Sequence, residues 1–145
     1  MNSKKFISYF IFLLVVINLI ISIVIFSTSI LSNNQGFCLV GSQENCISVQ
    51  TSQYSNILGI PVTVYGIITF TCIIILLLIS LFKEFISPKI IFVIKILFLG
   101  SSVSALWFLY VMFFLLKHIC SSCIWVDVTT ILTTVLFFVY KPLNK

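Results

Sequence analysis

Cys120 and Cys123, with Ser121 and Ser122 between them, are the residues of this sequence best suited to chemistry. At that spacing two cysteines lie one helical turn apart and can close a small disulfide. The apolar run from Ile124 onward reads as a membrane-crossing helix, which puts Cys123 in or near its first turn. There the unpaired backbone N–H groups and the positive end of the helix dipole favour thiolate, the reactive form of a cysteine. A C-x-x-C at the mouth of a membrane helix is a candidate redox centre, and it needs both a donor and an acceptor of electrons. Cys38 and Cys46 offer a second pair. A disulfide that merely pins a loop would look the same; a second pair on the same face is what favours thiol–disulfide exchange between them. A zinc site drawing on Cys38, Cys46 and His118 is the other alternative, and its ligand spacing is unusually wide.

The elements that must position these sulfurs are apolar. Of 145 residues, 61% are hydrophobic and 8% charged, with a mean hydropathy of +1.28. A soluble domain of this size could not hide that much apolar surface, so the bilayer is the expected solvent. A span needs about 20 apolar residues, and four stretches qualify: Phe6–Leu31, Val62–Phe82, Ile90–Leu116 and Ile124–Tyr140. The expectation is one four-helix membrane domain over residues 1–145. The first run follows Lys4 and Lys5 like a signal peptide, but it is too long and lacks a clear cleavage site, so it reads as an uncleaved helix.

Lysines set the orientation. The net charge of +5 contains no arginine, and the lysines sit at helix ends rather than on a patch fit for nucleic acid. Lys4, Lys5, Lys83, Lys89, Lys141 and Lys145 fall on one side of a chain that crosses four times, with Lys95 able to snorkel there and only Lys117 on the other. The positive-inside rule makes both termini and the Lys83–Lys89 turn cytoplasmic, in a multi-pass protein of the cell membrane. The Ser32–Pro61 loop and the Lys117–Cys123 turn then face outward, where disulfides persist. Only Cys72 lies within a span, as a small apolar residue.

In the outer loop, Asn33-Asn34-Gln35-Gly36 signals a turn. A short amphipathic helix at the membrane surface, with Val49, Ile57 and Leu58 on one side, fits the stretch after Cys46, and Gly59-Ile60-Pro61 ends it and opens the second span. In the third span Gly100-Ser101-Ser102 and Ser104-Ala105 would let helices approach closely.

Cys38-Leu-Val-Gly-Ser-Gln-Glu-Asn-Cys46, Val49, Thr51-Ser52-Gln53-Tyr54, Leu58-Gly59-Ile60-Pro61-Val62, Gly66 and Cys120-Ser-Ser-Cys123 together resemble the bacterial branch of the vitamin K epoxide reductase family. Quinone-linked oxidases of the DsbB kind place the C-x-x-C first and the wide pair second, the reverse of this order. The resemblance implies an all-α four-transmembrane-helix bundle around a quinone, capped by a short half-helix in the first extracytoplasmic loop. It implies that Cys38 takes electrons from a thioredoxin-fold (DsbA-like) partner and that Cys46 attacks Cys120. Cys123 is then left as the thiolate facing a quinone, menaquinone or ubiquinone. Ser52 matches a loop serine that steadies the relay. Many family members carry a fused thioredoxin-like domain, and with Lys145 as the last residue a separate partner is expected.

Two departures point to plain quinone reduction rather than epoxide reduction. Where the animal enzymes have an Asn near the start of the second helix, this chain has Pro61-Val62-Thr63-Val64. Where they have a Tyr four residues after the C-x-x-C, it has Asp127. Asp127 lies one turn below Cys123, where a carboxyl is expensive and functional by default; as a neutral acid it could donate a proton to a quinone oxygen. Trp107 and Trp125 could anchor the interface or line the quinone pocket, and His118 could stabilise a thiolate when charged. The rival readings are a non-enzymatic membrane protein with structural disulfides and a metal- or thiol-sensing protein.

Overall fold

Lipid offers no partner for a backbone N–H or C=O, so long apolar segments must satisfy their hydrogen bonds internally as helices. The computed structural model describes residues 3–31, 38–82 and 88–140. Along them run α1 (Ser3–Leu31), α2 (Gln43–Gln50), a 3-10 turn (Gln53–Ser55), a hairpin of β1 (Asn56–Ile57) and β2 (Ile60–Pro61), α3 (Val62–Phe82), α4 (Pro88–Tyr110) and α5 (Ser121–Tyr140). A π-helical turn over Val111–Leu116 extends α4. Four segments are long and apolar enough to cross a membrane: Phe6–Ser29, Val62–Ser80, Pro88–Leu116 and Ser121–Val139. The chain is therefore an all-α, multi-pass membrane protein with a short helix in its first loop. The Asn33–Gly36 turn, Lys83 and the rest of 83–87, Lys141 and Lys145 lie outside the described residues.

The spans close a ring in which α1 packs on α3 and α5, and α4 packs on α5 and α3. At one end Ile11, Val15, Phe70, Ile73, Leu77, Ile94, Phe98 and Phe137 form a buried cluster drawn from all four helices. Phe98 and Phe137 stack there with centroids 4.9 Å apart. Above this cluster sits a polar belt. The Thr129 hydroxyl lies 2.7 Å from Asn18 Oδ1, the Asn18 amide donates to Thr130 Oγ1 at 3.4 Å, and Thr134 Oγ1 donates to the Phe98 carbonyl at 3.2 Å. These bonds pin α5 to α1 and α4 without competition from water.

Three local features differ from the sequence expectation. The fourth span begins at Ser121 rather than Ile124, because Cys120 acts as its N-cap: its carbonyl accepts the Ile124 N–H at 3.0 Å. Its sulfur meets the Cys123 N–H at 3.4 Å, standing where a serine or aspartate oxygen usually caps. Val49, Ile57 and Leu58 do not share a helix. Instead α2 ends at Gln50, and Ile57 and Leu58 enter the hairpin, where Leu58 and Gly59 both take positive φ, +54° and +81°. That is the primed turn suited to a two-residue hairpin loop; Gly59 adopts it freely, whereas Leu58 pays roughly 1–2 kcal/mol. Finally, Gly100, Ser101 and Ser104 border an internal cavity, and at Gly100 no close approach is made, since a Cβ there would meet nothing within 4 Å.

Replacing Asn18, which is 1% exposed, with Leu should lower the stability of the bundle by about 1 kcal/mol, the scale of interhelical hydrogen bonds in membranes. Thermal unfolding in a fixed detergent measures this, and an unchanged midpoint would show that the belt contributes nothing.

Candidate functional site

The four loop and helix-mouth cysteines form two disulfides, Cys38–Cys46 and Cys120–Cys123. Their Cα separations, 5.9 Å and 5.3 Å, fall in the ordinary range for such bridges. The two bridges meet: Cys46, Val49, Met112 and Cys120 make one buried cluster, with Cys38, Leu109, Leu116, Cys123 and Ile124 packed against it. Cys46 and Cys120 are both 0% exposed, whereas Cys38 is only half-buried. One sulfur of the outer bridge is therefore reachable and the other faces inward.

Local structure explains the seating. Cys46, Val49 and Gln50 fall at i, i+3 and i+4, so they share the inner face of α2. The π-helical turn rotates Val111 and Met112 into the interior while Phe113, Phe114 and Leu115 stay exposed. Lys117 then reverses the chain with φ +54°. Three contacts tie the outer loop to the α5 mouth. The Val40 N–H donates to Ser121 Oγ at 3.0 Å, His118 Nδ1 pairs with Asn45 Oδ1 at 3.2 Å, and the Gln50 amide reaches the Cys120 sulfur at 3.6 Å.

Beneath this cap lies a cavity of about 930 Å3, lined by the four spans and bordered above by residues 49–57. Its volume suits a ligand of drug size or larger. The wall surface is mainly apolar, with Ile25, Val62, Phe70, Leu97, Phe108 and Met112 among its residues, while serines and threonines from all four spans add hydroxyls alongside Gln50, Asn56 and Asp127. Cys123 and Asp127, one turn apart on α5, both face it, as do Gln50 and Ser52. Asp127 Oδ2 is buried and has no hydrogen-bond partner among the described residues. A flat apolar ring with a carbonyl oxygen near Asp127 and Cys123 fits such a lining.

The family model for the vitamin K epoxide reductase family matches residues 9–139. The chain belongs to that family. A search of curated proteins found no match. As a vitamin K epoxide reductase family member the protein is a membrane thiol–disulfide oxidoreductase, and proteins of this family generally use quinones.

The structure brings Cys38, Cys46, Cys120 and Cys123 into one cluster, and it brings Cys123, Asp127 and Ser52 to one cavity. Ser52 donates through Oγ to the Val49 carbonyl at 2.8 Å and accepts the Ser55 N–H at 3.0 Å, so it turns the chain from α2 toward the hairpin. Trp107 and Trp125 lie elsewhere. Neither lines the cavity; they are 55% and 50% exposed, and Trp107 packs on Tyr110 with centroids 6.0 Å apart. Their positions on α4 and α5 turn them outward from the ring. His118 holds Asn45, and no contact to a sulfur is formed by it among the described residues. Sequence reasoning missed Gln50 and Asn18. The Cys46-x-x-x-Gln50 spacing was the available signal for the first, and an amide in mid-span for the second.

After mild reduction, a water-soluble thiol reagent should modify Cys38 well before Cys46 or Cys120, since reactivity needs access as well as thiolate. Mass spectrometry of the labelled peptides checks this, and equal rates would mean that the cap does not shield the inner sulfurs.

Proposed function

We propose that this protein is a membrane thiol oxidase that moves two electrons from an extracytoplasmic thioredoxin-fold protein to a membrane quinone and so drives disulfide formation. The observation that carries the reading is the meeting of both disulfides in one buried cluster, with Cys123 also lining the cavity. The whole chain acts as a single four-helix membrane domain. Both termini lie in the cytoplasm and the four cysteines outside, supported by the lysine distribution.

The steps follow from access. A thiolate of the partner attacks Cys38, the half-buried sulfur, and Cys46 leaves as thiolate. The partner's second thiol then displaces Cys38, so the partner departs oxidised and the outer pair is a dithiol. Cys46 attacks Cys120, with which it shares the buried cluster, and Cys123 leaves as thiolate at the third helical position of α5. Cys38 displaces Cys120 from Cys46, which restores the outer disulfide and leaves the inner pair reduced. The chemistry that a bound quinone supplies is acceptance of two electrons and two protons, by which Cys120 and Cys123 regain their disulfide. Asp127 holds a proton at Oδ2 beside that reaction, and the apolar walls keep water from it. Ser52 keeps the roof in place. Net flow requires an acceptor more oxidising than the partner's dithiol, where ~30 mV corresponds to ~1.4 kcal/mol for two electrons.

The test is quinone-dependent oxidation of a dithiol protein by the purified chain in lipid nanodiscs. Cys120→Ser should abolish turnover and leave Cys38 and Cys46 reduced, because electrons reach the outer pair and stop. Turnover that survives Cys46→Ala sinks the relay. Asp127→Asn should slow quinone reduction by roughly 10²-fold, the lower range for loss of a general acid, while exchange between the two cysteine pairs keeps its rate. Normal quinone turnover in that variant removes Asp127 from proton delivery.

A further inference from the structure

The face of α2 that carries Cys46 also carries Gln50, one turn on and at the last position of the helix. The Gln50 amide nitrogen stands 3.6 Å from the Cys120 sulfur and 4.0 Å from the Cys123 sulfur, so one donor spans the inner disulfide. We propose that the Gln50 side-chain amide is the hydrogen-bond donor that stabilises the thiolate released when the Cys120–Cys123 bond opens. The inference rests on the electron relay proposed above and adds to it a catalytic residue outside the four cysteines.

The reason is the difference in acceptor strength between the two states. A neutral sulfur is a weak acceptor, so the amide gains little while the disulfide is closed. When Cys46 attacks Cys120, the S–S electron pair departs with Cys123, and a full negative charge appears on a sulfur packed against the apolar Met112–Cys120 cluster. A charge in such surroundings is costly without donors. The Cys120 sulfur already has the Cys123 N–H at 3.4 Å and the Ser122 hydroxyl at 3.3 Å. Gln50 is what the cap adds, and it also reaches the departing sulfur. A donor aimed in advance at the place where charge develops lowers the barrier rather than the ground state. Because Gln50 and Cys46 ride on one turn of α2, the attacking sulfur and this donor are presented by the same seated cap.

The test needs neither quinone nor partner. The full chain in lipid nanodiscs is fully reduced, and iodoacetamide alkylation of Cys123 at pH 7 is followed by mass spectrometry. Gln50→Met, which keeps the volume and removes the donor, should slow alkylation about tenfold, the scale of a hydrogen bond to a charged group. Gln50→Glu should slow it further, since a carboxylate repels a thiolate. The rate at which dithiothreitol reduces Cys38–Cys46 and the thermal midpoint should match those of the unaltered protein. Alkylation at the original rate in both variants overturns the proposal. So does a slower rate accompanied by a lower midpoint and altered outer-pair reduction, which would make Gln50 a prop for the cap. If the unaltered chain oxidises no dithiol protein with quinone while the alkylation result holds, the relay fails and the donor role stands.

Discussion

Everything at the outer end of this protein depends on the inner face of α2 resting against the mouth of α5. The contact is small and mostly apolar, Cys46 and Val49 against Met112 and Cys120. It is held laterally by the Val40–Ser121 and Asn45–His118 hydrogen bonds. Apolar burial supplies most of the attraction, because it needs no exact alignment, while the polar tethers fix the register. The bundle below serves this contact by holding α5 still. Asn18 and the threonines at 129, 130 and 134 lock that helix to its neighbours in a medium where their bonds meet no competing water.

The same helix serves two sides. Its first turn presents Cys120 to the cap and Cys123 to the cavity, and its second turn places Asp127 beside the same space. A C-x-x-C suits this because residues three apart are neighbours yet not identically directed, so one sulfur can face each side of the seam. Cys120 also caps the helix it begins, which ties the redox pair to the backbone geometry of α5.

The four spans and the helical class were legible from length and hydropathy, since lipid leaves an apolar run of that length few alternatives. The two cysteine pairs were legible from spacing, and Cys123 with Asp127 from the four-residue step along one helix. The roof was harder. Ile57 and Leu58 look like helix-face residues by composition, but the positive φ at Leu58-Gly59 diverts them into a hairpin, and a leucine there gives no local warning. Trp107 and Trp125 illustrate the other difficulty. In a span that is apolar all round, no periodicity marks the inward side, so which aromatic faces lipid is decided by helix rotation alone. Gln50 escaped for a related reason: a glutamine in a polar loop is ordinary until its turn is seen to share a face with Cys46.

The zero exposure of Cys46 and Cys120 sets them apart from Cys38 and Cys123, which are only half-buried. Small soluble thiols such as glutathione can reach Cys120 only after the outer bridge has been opened or the cap displaced, which leaves Cys123, on the cavity side, as the approachable sulfur of the inner pair. Each bridge thus offers one approachable sulfur and shields the other, and the two shielded sulfurs are the ones that face each other.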